Sequence, residues 1–153
     1  MLKSHLIEHF NEKLFLATMK ARNKEDALVE LVDLFVQEKY IRNRDILLEM
    51  LHQRETLGST GIGKGIAIPH GRTIAVSELM IVFGRALHPI NFDAIDHKPV
   101  HLFFMVIAPP NDEGNKYLPL LGSLVTLLNE SKNREKLMKV ETFQEFLSVI
   151  GGE

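Results

Sequence analysis

A single histidine, His70, has neighbours that could support chemistry. It lies near the end of a glycine-rich stretch, residues 54–72, which reads RETLGSTGIGKGIAIPHGR. Glycine lets the backbone approach a ligand closely, and successive amides in such a loop can form a concavity that binds anions. A neutral imidazole is nucleophilic near neutral pH, because its reference pKa is about 6.5. The combination suits a histidine that carries a phosphoryl group while the protein positions it and binds its oxygens.

Other residues of this stretch are candidates for binding the phosphoryl oxygens. They are Arg54, Ser59, Thr60 and Gly61, together with the amides of the loop. Arg54 lies seven residues after Leu47, on the apolar stripe of a predicted helix, where a charge needs an anion or an exit to water. An arginine that merely complements the helix dipole is the alternative interpretation. A histidine that only bonds a backbone carbonyl is the alternative for His70.

Two further patterns look like sites and are set aside. Residues 58–65 match the spacing of a nucleotide-binding P-loop, but Gly65 stands where a magnesium-binding hydroxyl is required. The order of elements is also inverted, since a helix precedes the loop and a strand follows it. His97 and His101 are four residues apart, but Pro99 between them excludes the helix that would bring them together. We therefore expect no metal site and no cofactor.

Composition predicts one globular domain over residues 1–153, with 45% apolar and 25% charged residues. The net charge of -2 gives no reason to expect nucleic acid as a partner. The absence of cysteine excludes disulfides and a cysteine nucleophile, and it fits a cytoplasmic protein. The first residues lack the apolar run of a signal peptide, and residues 102–108 are too few to span a bilayer.

Hydrophobic periodicity predicts helices that alternate with four or five strands. The predicted helices cover residues 4–11, 24–39 and 131–139, with others that begin near residues 43, 119 and 143. The predicted strands cover residues 14–17, 66–69, 79–83 and 100–108, with a possible hairpin arm in 89–96. We expect Pro69 to stop its strand and to leave His70 at the strand end. Helices on both faces of a mostly parallel or mixed sheet are the natural architecture, so the fold class is α/β.

Two motifs of this sequence resemble those of a known family. R-E-x-x-G-S-T-G-I-G-x-G-I-A-I-P-H-G at 54–71 and F-D-A-I-D-x-x-P-V at 92–100 are similar to the enzyme IIA domain of the bacterial phosphoenolpyruvate-dependent phosphotransferase system, of the fructose/mannitol type. The length of the chain is similar too, and it looks most like the nitrogen-regulatory branch, IIA-Ntr. The resemblance implies a mixed sheet of about five strands flanked by helices on both faces.

The resemblance also implies a reaction. His70 would accept a phosphoryl group on Nε2 from a phosphohistidine of the carrier HPr or of its nitrogen-branch counterpart, with Arg54 beside it. Transport-type members pass the group to a cysteine on a IIB domain, and this chain has no cysteine, so that acceptor would be a separate protein. Members of the nitrogen branch act mainly as regulators, and the phosphorylation state of the histidine decides which proteins they bind. Neither nucleic acid nor direct membrane insertion is implied.

One position departs from the family pattern. The family usually carries a second active-site histidine near the start of the helix after the long strand, and Tyr117 occupies that position here. A tyrosine hydroxyl could donate one hydrogen bond to a phosphoryl oxygen, but it supplies no positive charge. Three functions therefore stay open: a regulatory phosphocarrier, a sugar-transport IIA component, and a binding module of the same fold that is weakly or not phosphorylated.

Overall fold

The computed structural model describes residues 6–41 and 43–152. It shows a mixed β-sheet with helices on both faces. Residues 6–7 are helical, and the first two residues of the predicted helix 4–11, which include Ser4, lie outside the described residues. The later α-helices are α1 (Lys24–Gln37), α2 (Arg44–Thr56), α3 (Tyr117–Leu128), α4 (Ser131–Leu137) and α5 (Phe143–Ile150). The strands are β1 (Phe15–Met19), β2 (Gly61–Gly63), β3 (Ile66–Ala67), β4 (His70–Arg72), β5 (Met80–Ile90) and β6 (Val100–Ala108).

The sheet is built around its longest buried strands, β5 and β6. The order is β1-β5-β6-β3-β2, and β4 also pairs with β6. The pairs β1–β5, β3–β6 and β4–β6 are parallel, whereas β5–β6 and β2–β3 are antiparallel. The predicted α/β fold with a mixed sheet and helices on both faces is confirmed. The described sheet has six strands because β3 and β4 are two pieces of one line along β6.

Pro69 interrupts that line without changing its register. Residues 66–67 and 70–72 pair with β6 at the same offset. Proline has no amide hydrogen to give to a ladder, but the amide of Val106 donates to the Pro69 carbonyl oxygen over 2.9 Å. The predicted break at Pro69 is present, because β3 ends at Ala67, but the expectation that His70 is left at a strand end is wrong, because pairing resumes there in β4. Because the alternation survives, His70 and Arg72 lie on one face of the sheet.

The two faces of β6 belong to two different hydrophobic cores. Phe103, Met105 and Ile107 pack with residues of α1 and α2, whereas Leu102, Phe104 and Val106 pack with residues of α3, α4 and α5. Burial on both faces explains why residues 102–108 of this strand are an unbroken apolar run. Ile66 and Ile68 belong to the second core, so the same face of β4 is directed towards α3.

Capping side chains fix three helix starts. Asn23 and Asn43 accept hydrogen bonds from amides in the first turns of α1 and α2. Thr142 and Glu145 form a capping box at the start of α5. The predicted end of this strand at residue 83 is wrong: β5 continues to Ile90, and its pairing with β6 is irregular between Arg85 and Ile90.

Candidate functional site

His70 opens β4 and is half-buried. Its Nδ1 lies 2.6 Å from the carbonyl oxygen of Ile68. A carbonyl oxygen can only accept, so in the neutral ring Nδ1 carries the proton and Nε2 carries the lone pair. Burial lowers the pKa of His70, and the charge of Arg54 lowers it too, although the bond to Ile68 and the charge of Glu55 oppose this. The ring is therefore neutral at neutral pH, and Nε2 is its nucleophilic atom.

Arg54 lies in the last turn of α2 and is half-buried. Its guanidinium donates to the carbonyl oxygen of Gly58 over 3.0 Å. Within residues 6–41 and 43–152, no carboxylate forms an ion pair with it. Its charge lowers the pKa of both His70 and Tyr117, so it lies close to both rings. The structure therefore brings Arg54 to His70, and its contact with phosphoryl oxygens stays a prediction.

The loop before β2 is held by its own hydrogen bonds. Ser59 donates its hydroxyl to the carbonyl oxygen of Phe92 over 2.6 Å, and it accepts from the amide of Gly61 over 3.0 Å. Thr60 is buried and donates both its amide and its hydroxyl to Glu55. These donors are engaged within the protein. A role for Ser59, Thr60 and Gly61 in binding phosphoryl oxygens would require an exchange of these bonds, and it stays a prediction.

The glycines after that loop build a hairpin. β2 and β3 are antiparallel and are joined by Lys64 and Gly65, which have φ angles of 58° and 81°. Two consecutive positive φ angles are typical of a tight hairpin turn. The amide of Lys64 donates to Asp96 over 2.9 Å. The P-loop spacing therefore lies in a hairpin, without the strand and helix that a nucleotide-binding loop needs.

Tyr117 is the first residue of α3 and lies beside His70. The centroids of the two rings are 6.3 Å apart. The tyrosine is buried, and its amide donates to the carboxylate of Asp112 over 2.9 Å, which fixes the start of the helix. Burial raises the pKa of Tyr117, although the charges of Arg72 and Arg54 oppose this. A neutral tyrosine at this helix N-terminus therefore lines the site, at the place that the sequence predicts for it.

A family model matches nearly the whole chain, including the residues around His70. The model for the EIIA 2 family of the phosphoenolpyruvate-dependent sugar phosphotransferase system matches residues 8–152. The chain belongs to this EIIA family. The family suggested by the motif around His70 is therefore confirmed, and with it the assignment of the chain to the phosphotransferase system.

The EIIA relatives include both transport and regulatory proteins. The fructose-specific EIIA component of Haloferax volcanii is 39% identical over 127 residues, which are 83% of this chain and 82% of that protein. The crystal structure of the nitrogen regulatory protein IIA-Ntr from Neisseria meningitidis has a TM-score of 0.87 at 32% identity, and the match covers 95% of this chain and 99% of that one.

A third comparison shows the fold alone. The Escherichia coli IIAMTL protein, solved in complex with phosphorylated IIBMTL, has a TM-score of 0.76 at 22% identity, with 94% of this chain and 98% of that chain covered. The mixed sheet with helices on both faces is therefore the EIIA fold.

Arg72 also lies beside Tyr117 in this EIIA chain, and the sequence did not predict this position. Its guanidinium carbon lies 4.7 Å from the ring centroid of Tyr117, and one of its nitrogens lies 3.5 Å from the carbonyl oxygen of Pro109. It was missed because Pro69 was expected to end the strand. If the strand is continued through His70, the two-residue alternation places Arg72 on the face of the histidine.

Glu55 is a second residue near His70 whose contacts the sequence did not predict. Its side chain is only 8% exposed, and the ammonium of Lys24 lies 2.9 Å from its carboxylate. Lys24 also lies over the ring of Phe92, 4.6 Å from the centroid. Glu55 therefore ties the loop at Thr60 to α1. The residue stands in the motif next to Arg54, but linear sequence does not distinguish a buried carboxylate from a surface one.

His70 lies at the protein surface, outside the cavities that open near residues 8–14 and 109–116. Those two cavities have volumes of about 810 and 360 Å³, and His70 lines neither of them. Among residues 6–41 and 43–152, no group of three histidine or carboxylate side chains could hold a metal ion. In the same residues, no helix is long and apolar enough to cross a membrane. A half-buried imidazole that lines neither of these two cavities suits a protein partner better than a small substrate.

Proposed function

We propose that this EIIA chain is a cytoplasmic phosphocarrier, and that Nε2 of His70 accepts a phosphoryl group from a phosphohistidine of an HPr-type carrier. The observation that carries the proposal is the 2.6 Å contact between Nδ1 of His70 and the Ile68 carbonyl oxygen. It holds the proton on Nδ1 and directs the lone pair of Nε2 outwards, where it can attack phosphorus. The positive charge of Arg54 lies close to the same ring.

The transfer needs no proton to leave His70. The lone pair of Nε2 forms the new N–P bond while the N–P bond of the donor breaks, and the donor imidazole departs with that electron pair. The His70 ring becomes cationic as the bond forms, because Nδ1 keeps its proton. The carbonyl oxygen of Ile68 accepts from that N–H and stabilises the charge. Arg54 and the hydroxyl of Tyr117 are the groups that we propose to contact the phosphoryl oxygens.

Apolar side chains near the site support a protein as donor and acceptor. Leu57, Ile74 and Leu118 are 83%, 79% and 67% exposed. They follow Arg54, Arg72 and Tyr117 by three, two and one residues in the sequence. Large apolar side chains exposed around a reactive group are typical of a surface that a partner covers. The acceptor would be a separate IIB protein or a regulated protein, because the chain has no cysteine of its own.

Phosphoryl uptake in a purified mixture tests the proposal. The mixture contains phosphoenolpyruvate, enzyme I, an HPr-type carrier and this protein, and the readout is an acid-labile mass gain of one phosphoryl group. We expect the gain in the wild type and its loss in His70→Ala. His52→Ala is the matched control, because His52 is exposed and pairs with Glu25 on the surface.

Two results would decide against parts of the proposal. Uptake that persists in His70→Ala would place the phosphoryl group elsewhere. No uptake from any carrier would favour the binding module that keeps the fold without being phosphorylated, which the tyrosine at position 117 leaves open. In that case, partner affinity would be unchanged in His70→Ala and in His70→Asp. Transfer from the phosphorylated chain to a IIB cysteine would support a transport role over a regulatory one.

A further inference from the structure

Arg72 is a cation two residues after His70, on the same face of the sheet. Within the part of the chain that the structure describes, no carboxylate forms an ion pair with it. The residue is exposed at the end of β4, so its side chain could extend into water at little cost. Its guanidinium lies instead over the ring of Tyr117, 4.7 Å from the centroid. The same ring lies 6.3 Å from that of His70.

Most N–H donors of the Arg72 guanidinium have no partner among the described residues. A guanidinium that packs against an aromatic ring uses its face, whereas its five N–H donors lie in its plane and point outwards. The only hydrogen bond to a described residue is the long one, 3.5 Å, to the carbonyl oxygen of Pro109. Planar N–H donors bind phosphoryl oxygens in pairs. The ring of Tyr117 therefore holds the guanidinium of Arg72 ready to bind an anion on the face of the sheet that carries His70.

We propose that Arg72 is a second phosphoryl-binding arginine, and that Tyr117 acts as a positioning residue whose ring holds the guanidinium beside His70. The phosphoryl group on Nε2 would lie between Arg54 on one side and Arg72 on the other. This inference rests on the proposed phosphorylation of His70. It assigns the ring of Tyr117 a larger role than its hydroxyl, because the ring is what contacts the arginine.

The apparent pKa of the phosphoryl group, followed by phosphorus NMR, tests this arrangement. The protein is phosphorylated with phosphoramidate, which needs no carrier protein, and the His70 signal is assigned by its loss in His70→Ala. A nearby guanidinium favours the dianion and so lowers the pKa of the phosphoryl group. We expect Arg72→Gln to raise that pKa by roughly half a unit or more. Arg22→Gln is the matched control, because Arg22 is an exposed arginine far from Arg72 in the sequence.

Variants of Tyr117 separate positioning from a direct bond. Tyr117→Leu removes the ring, and we expect it to raise the pKa of the phosphoryl group almost as much as Arg72→Gln does. Tyr117→Phe keeps a ring, so its effect should be clearly smaller. The double variant Arg72→Gln/Tyr117→Leu should differ from Arg72→Gln alone by no more than Tyr117→Phe differs from the wild type, because the ring acts through the arginine.

Each alternative result has one meaning. An unchanged phosphoryl pKa in Arg72→Gln, which changes an exposed side chain and should fold, would overturn the inference. Equal effects of Tyr117→Phe and Tyr117→Leu, or additive effects in the double variant, would assign the role to the hydroxyl and would also overturn it. Labelling by phosphoramidate without labelling by any carrier would contradict the proposed function while still testing Arg72. Failure of both reagents at His70 would overturn both.

Discussion

Gly71 lies directly beneath the thioether of Met50. A Cβ atom at Gly71 would lie 2.0 Å from Sδ and 2.9 Å from Cε of that methionine, which is closer than atoms can approach. Met50 belongs to α2, and Gly71 lies between His70 and Arg72 on β4. The missing side chain therefore lets the helix that carries Arg54 pack tightly against the strand that carries the histidine.

Gly71→Ala should weaken both folding and phosphoryl uptake, because the new methyl group must push Met50 or the helix away. We expect a loss of about 1–3 kcal/mol in the free energy of unfolding, as in other overpacked sites, measured by urea denaturation. Met50→Ala in the same chain should restore part of it, so the double variant should lose less than the two single losses added together.

Gly122→Ala is the control for that comparison. A Cβ at Gly122 would meet no atom within 4 Å, and the residue lies inside α3. Alanine there should raise the free energy of unfolding by about 0.5–1 kcal/mol, because it favours a helix over glycine. If Gly71→Ala were as harmless as Gly122→Ala, the close packing of Gly71 against Met50 would not matter to the fold.

Arg54→Gln should raise the pKa of His70. Burial lowers that pKa below 6.5, and the positive charge of Arg54 lowers it too, so removal of the charge makes protonation easier. Only the neutral ring is nucleophilic. When the pH is lowered, the rate of phosphoryl uptake should therefore begin to fall at a higher pH in the variant than in the wild type. NMR of the imidazole nitrogens gives the pKa directly.

Arg44→Gln is the matched control for Arg54, because it removes a charge from the first turn of the same helix. Arg44 pairs with Asp33 on the surface, so its loss should leave the pKa of His70 unchanged. Equal pKa values in the wild type and Arg54→Gln would mean that the arginine does not act on the ring.

In the wild type, the unfolded chain binds the proton of His70 more readily, so stability should increase as the pH rises from the lowered pKa towards 6.5.

The strongest features of the fold could be predicted because they are written in local sequence. Residues 102–108 are an unbroken apolar run and residues 24–39 have helical periodicity, and both β6 and α1 lie where they were expected. β4 was missed because the effect of Pro69 on a strand depends on the partner. A single-strand view sees a missing donor, whereas the carbonyl oxygen of Pro69 keeps the ladder in register through Val106.

The partners within the site were less predictable than its position. The motif identified His70 and Arg54, but the hydroxyl of Ser59 donates to a carbonyl 33 residues away, and Lys24 reaches Glu55 from another helix. Such contacts follow from the tertiary fold and not from spacing along the chain. Arg72 could have been found, because only the continuation of one strand was needed to place it.

Lys24→Met should destabilise the loop before β2. The variant keeps an apolar stem over Phe92 but removes the ammonium that lies 2.9 Å from Glu55, a carboxylate that is only 8% exposed. A buried charge without its partner is costly, so we expect the free energy of unfolding to fall by about 1–3 kcal/mol. Urea denaturation measures the change. Lys132→Met, at an exposed lysine of α4, should change it little, and an equally small effect of Lys24→Met would show that the ion pair does not hold the loop.

Leu118→Lys should slow phosphoryl uptake by weakening the encounter with the carrier and not the chemistry. Leu118 is 67% exposed beside Tyr117, so its loss should cost little stability, whereas a charge there would have to be desolvated under a partner. We expect the KM for the phosphorylated carrier to rise about tenfold while phosphoramidate labels His70 at the rate of the wild type. Leu87→Lys is the control, because Leu87 is 63% exposed on β5, towards the end of the β5–β6 pair away from Val106. Equal KM values in the two variants would mean that the carrier does not cover Leu118, whereas a slower reaction with phosphoramidate would mean that the substitution disturbs the histidine itself.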